Sequence, residues 1–211
     1  MNSVRIIGDI HGMWSSYRRI IAECPFSIQV GDFGIGFPGW QKNDPQKIKG
    51  KHYFIRGNHD NPMVCQQHPH YLGDFGFKED WGRLFFLGGA FSIDQRYRIQ
   101  GRDWWPEEEI AYSVLMNQVM PLYEKTKPEI VVTHDGPMAI RRFLFSHHAD
   151  DERNKSRTIV CLDNLFEIHK PRFWFHGHHH ISNRQNILGT EFVSLASSEF
   201  YDHVIQDTCG K

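Results

Sequence analysis

The sequence predicts an α/β fold, and three observations carry that expectation. Six short apolar runs of strand length recur along 211 residues, helical patterns lie between several of them, and each run is followed by Gly, Asp, His or Asn. Strand and helix signals that alternate in this way point to layered α/β architecture.

The first run, Val4 to Ile7, leads into Gly8-Asp9-Ile10-His11-Gly12, and a helical pattern follows from Trp14 to Ala22. The second, Ser27 to Val30, ends on Gly31-Asp32. The third, Tyr53 to Ile55, is followed after Arg56 by Gly57-Asn58-His59-Asp60, with a helical pattern over Asn61 to His68. The fourth is Leu84 to Leu87. A helix is expected from Pro106 to Met120, because proline suits the first helical position and Glu107, Glu108 and Glu109 complement the positive end of the macrodipole. Trp104 and Trp105 just before it are read first as packing that helix onto the body, and second as a wall of a cleft. Ile130 to Val132 runs into Thr133-His134-Asp135-Gly136-Pro137, a helical pattern covers Ile159 to His169, and Phe173 to Phe175 opens onto Gly177-His178-His179-His180. Two polar stretches, Gly34 to Gly50 and Ser146 to Ser156, read as mobile surface loops.

Composition limits what such a chain does. A hydrophobic share of 40% and an aromatic share of 14% supply one well-buried domain over residues 1–211 and exclude a disordered chain. The formal net charge of -1 is a poor footprint for gripping a long nucleic acid, so a small or locally recognised substrate fits better, a nucleotide or short oligonucleotide included. Cys24, Cys65, Cys161 and Cys209 form no C-x-x-C pair and suit free thiols in a reducing cytoplasm. With no leader pattern and no apolar run near the roughly 20 residues that span a bilayer, a soluble cytoplasmic protein is expected, with no membrane partner. Fourteen histidines, several beside Gly, Asp or Asn, direct attention to metal chemistry.

Five polar loops follow strand candidates, and in open α/β sheets ligand sites gather beyond the carboxyl ends of strands. Loops far apart in sequence can therefore converge on one crevice. Two carboxylates, an amide oxygen and four imidazoles make a mixed O/N donor set, which suits Mn, Fe, Zn or related ions rather than Ca or a thiolate zinc site. Taken singly each residue has an ordinary explanation: a turn aspartate at Asp9, a satisfied strand-end histidine at His134, a solvated run at His178 to His180. Five such loops in one chain do not.

In order and content these loops resemble the motifs of the calcineurin-like metallophosphoesterase superfamily: D-x-H, G-D, G-N-H-[DE], a lone H and G-H-x-H. The matching residues are Asp9 and His11, Asp32, Asn58 with His59 and Asp60, His134, and His178 with His180. The resemblance implies a four-layer α/β/β/α sandwich of two mixed sheets, with the metal site at the C-terminal ends of the strands. It implies that Asp9, His11, Asp32 and His180 bind one metal, and that Asn58, His134, His178 and the shared Asp32 bind a second. The ions would be divalent transition metals, Mn first, with Fe, Zn, Ni and Co as alternatives. Two cations about 3.5 to 4 Å apart repel, and a bridging carboxylate with a bridging hydroxide relieves this. His59 would lie near the metals without binding them, and Asp60 is implied as the acidic partner that orients this imidazole and favours its protonated form. His179 is expected to point away. The implied activity is hydrolysis of a phosphomonoester or phosphodiester by in-line attack of a metal-bound hydroxide.

The sequence also departs from one branch it resembles. Gly8 to Gly12 and Arg56 to Asp60 look like blocks of the protein Ser/Thr phosphatases, but that branch reads G-D-x-x-D-R-G where this chain has Gly31-Asp32-Phe33-Gly34-Ile35-Gly36. The phosphate-holding arginine is absent there. Downstream of Gly88-Gly89-Ala90-Phe91-Ser92-Ile93-Asp94, a segment that resembles bacterial and phage members, Arg98 and Arg102 are the candidates to clamp phosphate bidentately. The plainer alternative pairs these arginines with Glu107 to Glu109, and Arg141 and Arg142 rank below them. A protein phosphatase, a nuclease and a non-catalytic scaffold remain as alternative functions.

Overall fold

In the computed structural model of the chain, residues 3–37, 39–43, 49–145 and 156–205 are described. Among the described residues ten strands form two mixed sheets. The smaller has the order β10-β1-β2-β3, with β1 (Ser3–Ile7), β2 (Phe26–Gln29), β3 (Lys51–Phe54) and β10 (Phe200–Val204). The larger has the order β4-β5-β6-β7-β9-β8, with β4 (Phe75–Lys78), β5 (Leu84–Leu87), β6 (Ile130–Thr133), β7 (Phe173–His176), β8 (Asn183–Ile187) and β9 (Thr190–Ser194). β1, β2 and β3 run parallel, as do β5, β6, β7 and β9, while β10, β4 and β8 pair antiparallel at the edges.

Alternation along the strands builds three cores, because successive side chains leave a strand on opposite faces. Val4, Ile6 and Ile28 from the small sheet meet Leu84, Phe86, Val132 and Phe175 from the large one, so the two sheets pack face to face. On the outer face of the large sheet, Phe85, Leu87, Val131 and Trp174 pack against α4 (Met120–Thr126) and α6 (Arg157–Ile168) through Tyr123, Leu162 and Leu165. On the outer face of the small sheet, Ile7 and Phe54 receive Trp14, Tyr17 and Ile21 of α1 (Trp14–Ile21) and Cys65 of α2 (Pro62–Cys65). Four layers result, in the order α/β/β/α.

The expected helix over Pro106 to Met120 is wrong at its start. Pro106–Glu108 is an isolated 3₁₀ turn, Glu109 is extended, and helix begins at α3 (Tyr112–Val114). The glutamates are consumed as buried acceptors rather than as partners of a helix dipole: Glu108 takes Ser92, and Glu109 Oε1 accepts from Ser156 Oγ and Thr158 N at the start of α6. After α3 the helix widens to π-helical Leu115–Val119, where Met120 N–H donates to Leu115 O, before entering α4. Pro121 follows at once, and its missing N–H and its ring disfavour a regular i→i−4 ladder at that turn.

Among the described residues four strands and one helix escaped the sequence reading, and α4 runs on to Thr126, past the helix end expected at Met120. β8 and β10 are polar edge strands with no apolar run, β4 has Gly76 in its middle, β9 is a short run with no loop motif after it, and α5 (Met138–Leu144) has little length to show periodicity. The loop expected from Gly34 to Gly50 is not mobile surface at its start, where Gly34 and Ile35 are buried and donate their N–H groups to Asp60. Residues 38 and 44–48 of that stretch, residues 146–155 of the second expected loop, and Cys209 lie outside the described residues. Cys24, Cys65 and Cys161 are free thiols. Among the described residues no helix is long and apolar enough to cross a membrane.

Candidate metal centre

All seven predicted metal ligands sit just past the carboxyl ends of parallel strands, Asp9 and His11 after β1, Asp32 after β2, Asn58 after β3, His134 after β6, His178 and His180 after β7. The two sheets thus each bring ligands to one rim. Four of these residues occupy left-handed backbone, at φ 46° for His11, 55° for Asp32, 66° for His178 and 55° for His180. Non-glycine residues there cost on the order of 1–3 kcal/mol each and cluster where function demands a particular side-chain direction. Close approach is also built in. A Cβ on Gly57 would overlap Asp32 Oδ1, and one on Gly177 would overlap Asp9 Oδ1.

The side chains fall into two groups that share Asp32. One holds Asp9, His11, Asp32 and His180, the other Asp32, His134 and His178, with the donor atoms of each group within 4.8 Å of one another. His180 Nε2 stands 3.0 Å from Asp9 Oδ2 and 2.8 Å from His11 Nε2. His134 Nδ1–H donates to Val30 O at 2.9 Å, which turns Nε2 toward Asp32 Oδ1 at 3.3 Å and Asn58 Oδ1 at 3.2 Å. His178 N–H donates to Asp9 Oδ1 at 3.0 Å, while its ring Nδ1 is buried without a hydrogen-bond partner. A ring nitrogen aimed at two acceptor oxygens, and a second one buried with no partner, are what a cation site requires of its donors. The donor set therefore fits divalent metal binding.

Electrostatics agree. Burial works to raise the Asp9 carboxyl, but contact with His11 and His180 holds it down to about 2. Asp32 is likewise held below the ordinary carboxylate range against its burial, by His134 first and then His59 and His11. Burial opposes the charged form of His134, yet Asp32 beside it raises the ring to about 10. Without metal, a proton on His134 serves the charge balance that a cation serves when bound. Burial depresses His178 to about 3, so the ring stays neutral and one of its nitrogens keeps its lone pair.

Beside these ligands lies a cleft of about 470 Å³ whose lining includes Asp32, Asn58, His59, Arg98, Arg141 and His178. Of the two candidate clamp arginines, Arg98 lines it. Its guanidinium is held by Asp94, with Nε 2.8 Å from Oδ1 and Nη2 2.9 Å from Oδ2, and Nη2 stands 2.7 Å from His59 Nε2. Arg102 does not reach the cleft: its side chain is 67% exposed and pairs with Asp103. Neither arginine pairs with Glu107 to Glu109. Trp105 is buried and packs edge-on against Phe37, and Trp104 and Trp105 are not among the residues that line the cleft.

The expected pairing of Asp60 with the His59 imidazole is not made. The Asp60 carboxylate is fully buried and accepts four backbone N–H groups, from Phe33, Gly34, Ile35 and Gly57, at 2.8 to 3.1 Å. It turns inward to pin two loops together while the His59 ring turns outward to the cleft. Burial lowers His59 from its ordinary value; Asp32 raises it, and Arg98 lowers it further. The protonated form expected from an Asp60 contact is therefore not favoured here.

His179, expected to point away, lies in the cleft lining beside His178. Its ring is packed inward beside the cleft, with Nε2 3.0 Å from Asp135 Oδ1 and accepting from Arg141 Nε at 3.3 Å. Asp135, Ser92 and Glu108 were not singled out from sequence. Asp135 had one signal, its place directly after His134 in a post-strand loop. For Ser92 the signal was the unassigned Gly88 to Asp94 segment; for Glu108 there was none, because its acidic run read as a helix start.

No curated protein sequence matches the chain. Among solved structures, a protein from Staphylococcus aureus provisionally named a 5′-nucleotidase, crystallised with alpha-ketoglutarate, aligns at TM-score 0.55 and 13% identity. The alignment covers 93% of this chain and 48% of that one, so the chain spans about half its length. The GAP50 anchor of the inner membrane complex of Plasmodium aligns at TM-score 0.54 and 12% identity, covering 94% of this chain and 73% of that one. Phosphopantetheinyl hydrolase from Mycobacterium tuberculosis aligns at 0.51 and 14%, covering 93% and 90%. Identities this low speak for the fold. The model of the calcineurin-like phosphoesterase family matches residues 3–182, which take in all seven candidate ligands at the strand ends. With that match, the chain belongs to the calcineurin-like phosphoesterase family, a family of metal-dependent phosphoric ester hydrolases.

Proposed function

We propose that this protein hydrolyses a phosphomonoester or phosphodiester at a dinuclear centre. The observation that carries the reading is Asp32, a buried carboxylate with His11 and Asp9 on one side and His134 on the other. Asp9, His11, His180 and Asp32 would hold one ion, and Asp32, Asn58, His134 and His178 the other, with manganese the first ion to test. When bound, two such cations supply an activated water and neutralise charge that develops on the phosphoryl oxygens.

The chain's own residues do the rest. Arg98, pre-aligned by Asp94 at the edge of the cleft, binds the substrate phosphate. His59 delivers a proton to the departing oxygen, general acid catalysis that is typically worth 10² to 10⁴-fold. In the empty cleft burial and Arg98, 2.7 Å away, both disfavour a charged His59; a substrate phosphate that draws Arg98 off the ring weakens the second of these. The nearly neutral chain favours a small ester, a nucleotide or short oligonucleotide included, over a long polynucleotide.

The test is a substrate panel with manganese-loaded protein, covering aryl monoesters and diesters, cyclic nucleotides, phosphopeptides and end-phosphorylated oligonucleotides. Metal-dependent turnover of at least one ester is expected. A protein that takes up no more than trace metal and turns over nothing in the panel is a scaffold, and the reading fails.

A further inference from the structure

Asn58 poses a problem of orientation. An amide carries an acceptor at one end and two donors at the other, and only the oxygen can serve a cation. Reversed by 180°, the same side chain would present N–H groups to the centre. What decides between the two lies outside the ligand set.

Asn58 is buried, its Oδ1 stands 3.2 Å from His134 Nε2, and its Nδ2 donates to Ser92 Oγ at 2.9 Å. The Ser92 hydroxyl in turn donates to Glu108 Oε2 at 2.5 Å, and Ser92 N–H donates to Glu108 Oε1 at 2.9 Å. All three side chains are shielded from water. Glu108 is itself anchored, because Arg56 Nη1 donates to its backbone carbonyl at 2.7 Å while Arg56 Nε donates to Asp74 at 2.6 Å. Arg56 lies two residues before Asn58, so the strand end that carries the ligand also holds the segment that carries the carboxylate. Burial pushes the Glu108 carboxyl up from its ordinary value, and its two hydrogen bonds from Ser92 pull it back.

We propose that Glu108 and Ser92 are positioning residues for the second metal site: they form a one-way hydrogen-bond relay that fixes the Asn58 amide with its oxygen toward the metal. The logic is one of donors and acceptors. An ionised carboxylate only accepts, so the single Ser92 hydroxyl proton points to Glu108. Ser92 Oγ is then left only as an acceptor for Asn58, which must offer it Nδ2 and so present Oδ1 to the centre. This gives the Gly88 to Asp94 segment a role beside the metal and explains why a carboxylate is buried 50 residues downstream of the ligand it serves. The inference rests on the dinuclear reading above, and it goes beyond it by assigning two residues that are not themselves metal ligands.

The test is a calorimetric manganese titration of the full chain stripped of metal, comparing the parent with Glu108→Gln, Ser92→Ala and Ser92→Thr, and with thermal unfolding of each metal-free protein as a fold control. Glu108→Gln keeps the shape but introduces a donor, so the relay loses its direction. Expected is a 10- to 100-fold weaker affinity at one of two sites in Glu108→Gln and Ser92→Ala, the size usual for lost outer contacts to a ligand. The other site keeps its affinity, the metal-free Tm stays close to the parent's, and Ser92→Thr restores the weakened site. Unchanged affinity at both sites in Glu108→Gln and Ser92→Ala overturns the relay. So does a parallel weakening of both sites with a lowered metal-free Tm, which would make these residues part of the general framework. A parent that takes up no manganese would overturn the metal reading itself, and the relay with it.

Discussion

At the scale of the residue, the site is a set of side chains whose ordinary preferences are overridden by their neighbours. Asp32 is the extreme case, a carboxylate that stays ionised in the interior because imidazoles face it from both groups. Asp32→Asn keeps the shape and removes the shared charge, so manganese titration should show both sites weakened at least tenfold; full, unweakened binding of both ions would remove the bridging role. Arg98 and Arg102 separate just as cleanly. Arg98→Ala should cost more than about tenfold in kcat/KM at equal metal occupancy, whereas Arg102→Ala, exposed and paired with Asp103, should behave like the parent. If Arg98→Ala is also silent, the clamp lies with Arg141, which lines the same cleft. His59→Ala should keep both metals and lose activity in proportion to the basicity of the leaving group, little with a nitrophenyl ester and much with an alkyl ester. Equal losses across such a series would reduce His59 to uniform binding.

At the scale of the element, the ligand loops are held by buried acceptors rather than by regular structure. Asp60 is the clearest, since its carboxylate satisfies N–H groups on the loop after β2 and the loop after β3 at once. Asp60→Ala strips the partner from four buried donors, and an unsatisfied buried donor costs about 1–3 kcal/mol. The expected result is a metal-free Tm lowered by many degrees, with Asp60→Asn in between because its amide retains one acceptor oxygen. A Tm equal to the parent's in Asp60→Ala would return Asp60 to the catalytic role its sequence position suggests. Glu109 does similar work at α6, where it accepts from Thr158 N and from the Ser156 hydroxyl that caps the helix. The expected helix start at Pro106 failed for this reason. Propensity and dipole arguments assume acidic side chains beside their own helix, and here Glu108 and Glu109 serve other segments.

At the scale of the whole molecule, both proposed sites take ligands from both sheets: Asp9, His11, Asp32 and Asn58 follow strands of the small one, and His134, His178 and His180 follow strands of the large one. Metal would therefore tie the two sheets together at one rim, and a ligand that binds only the folded state stabilises it by mass action, by about 2.7 kcal/mol at 100 times its Kd. Manganese should raise Tm in a concentration-dependent way and a chelator should reverse the rise; a Tm indifferent to both would count against ligation across the sheets. The sequence by itself pointed to the α/β class and to the seven candidate ligands, because each is written locally, as an apolar run followed by Gly, Asp, Asn or His. It did not determine that Asp60 faces away from His59, that Arg98 rather than Arg102 enters the cleft, that His179 packs on Asp135, or that Glu108 reaches Ser92 and through it Asn58. Those outcomes depend on which side of a loop a side chain leaves and on which distant donor needs an acceptor. Both are settled only when loops from two sheets are brought to the same rim, since a buried polar group must find its partner wherever the fold has placed one.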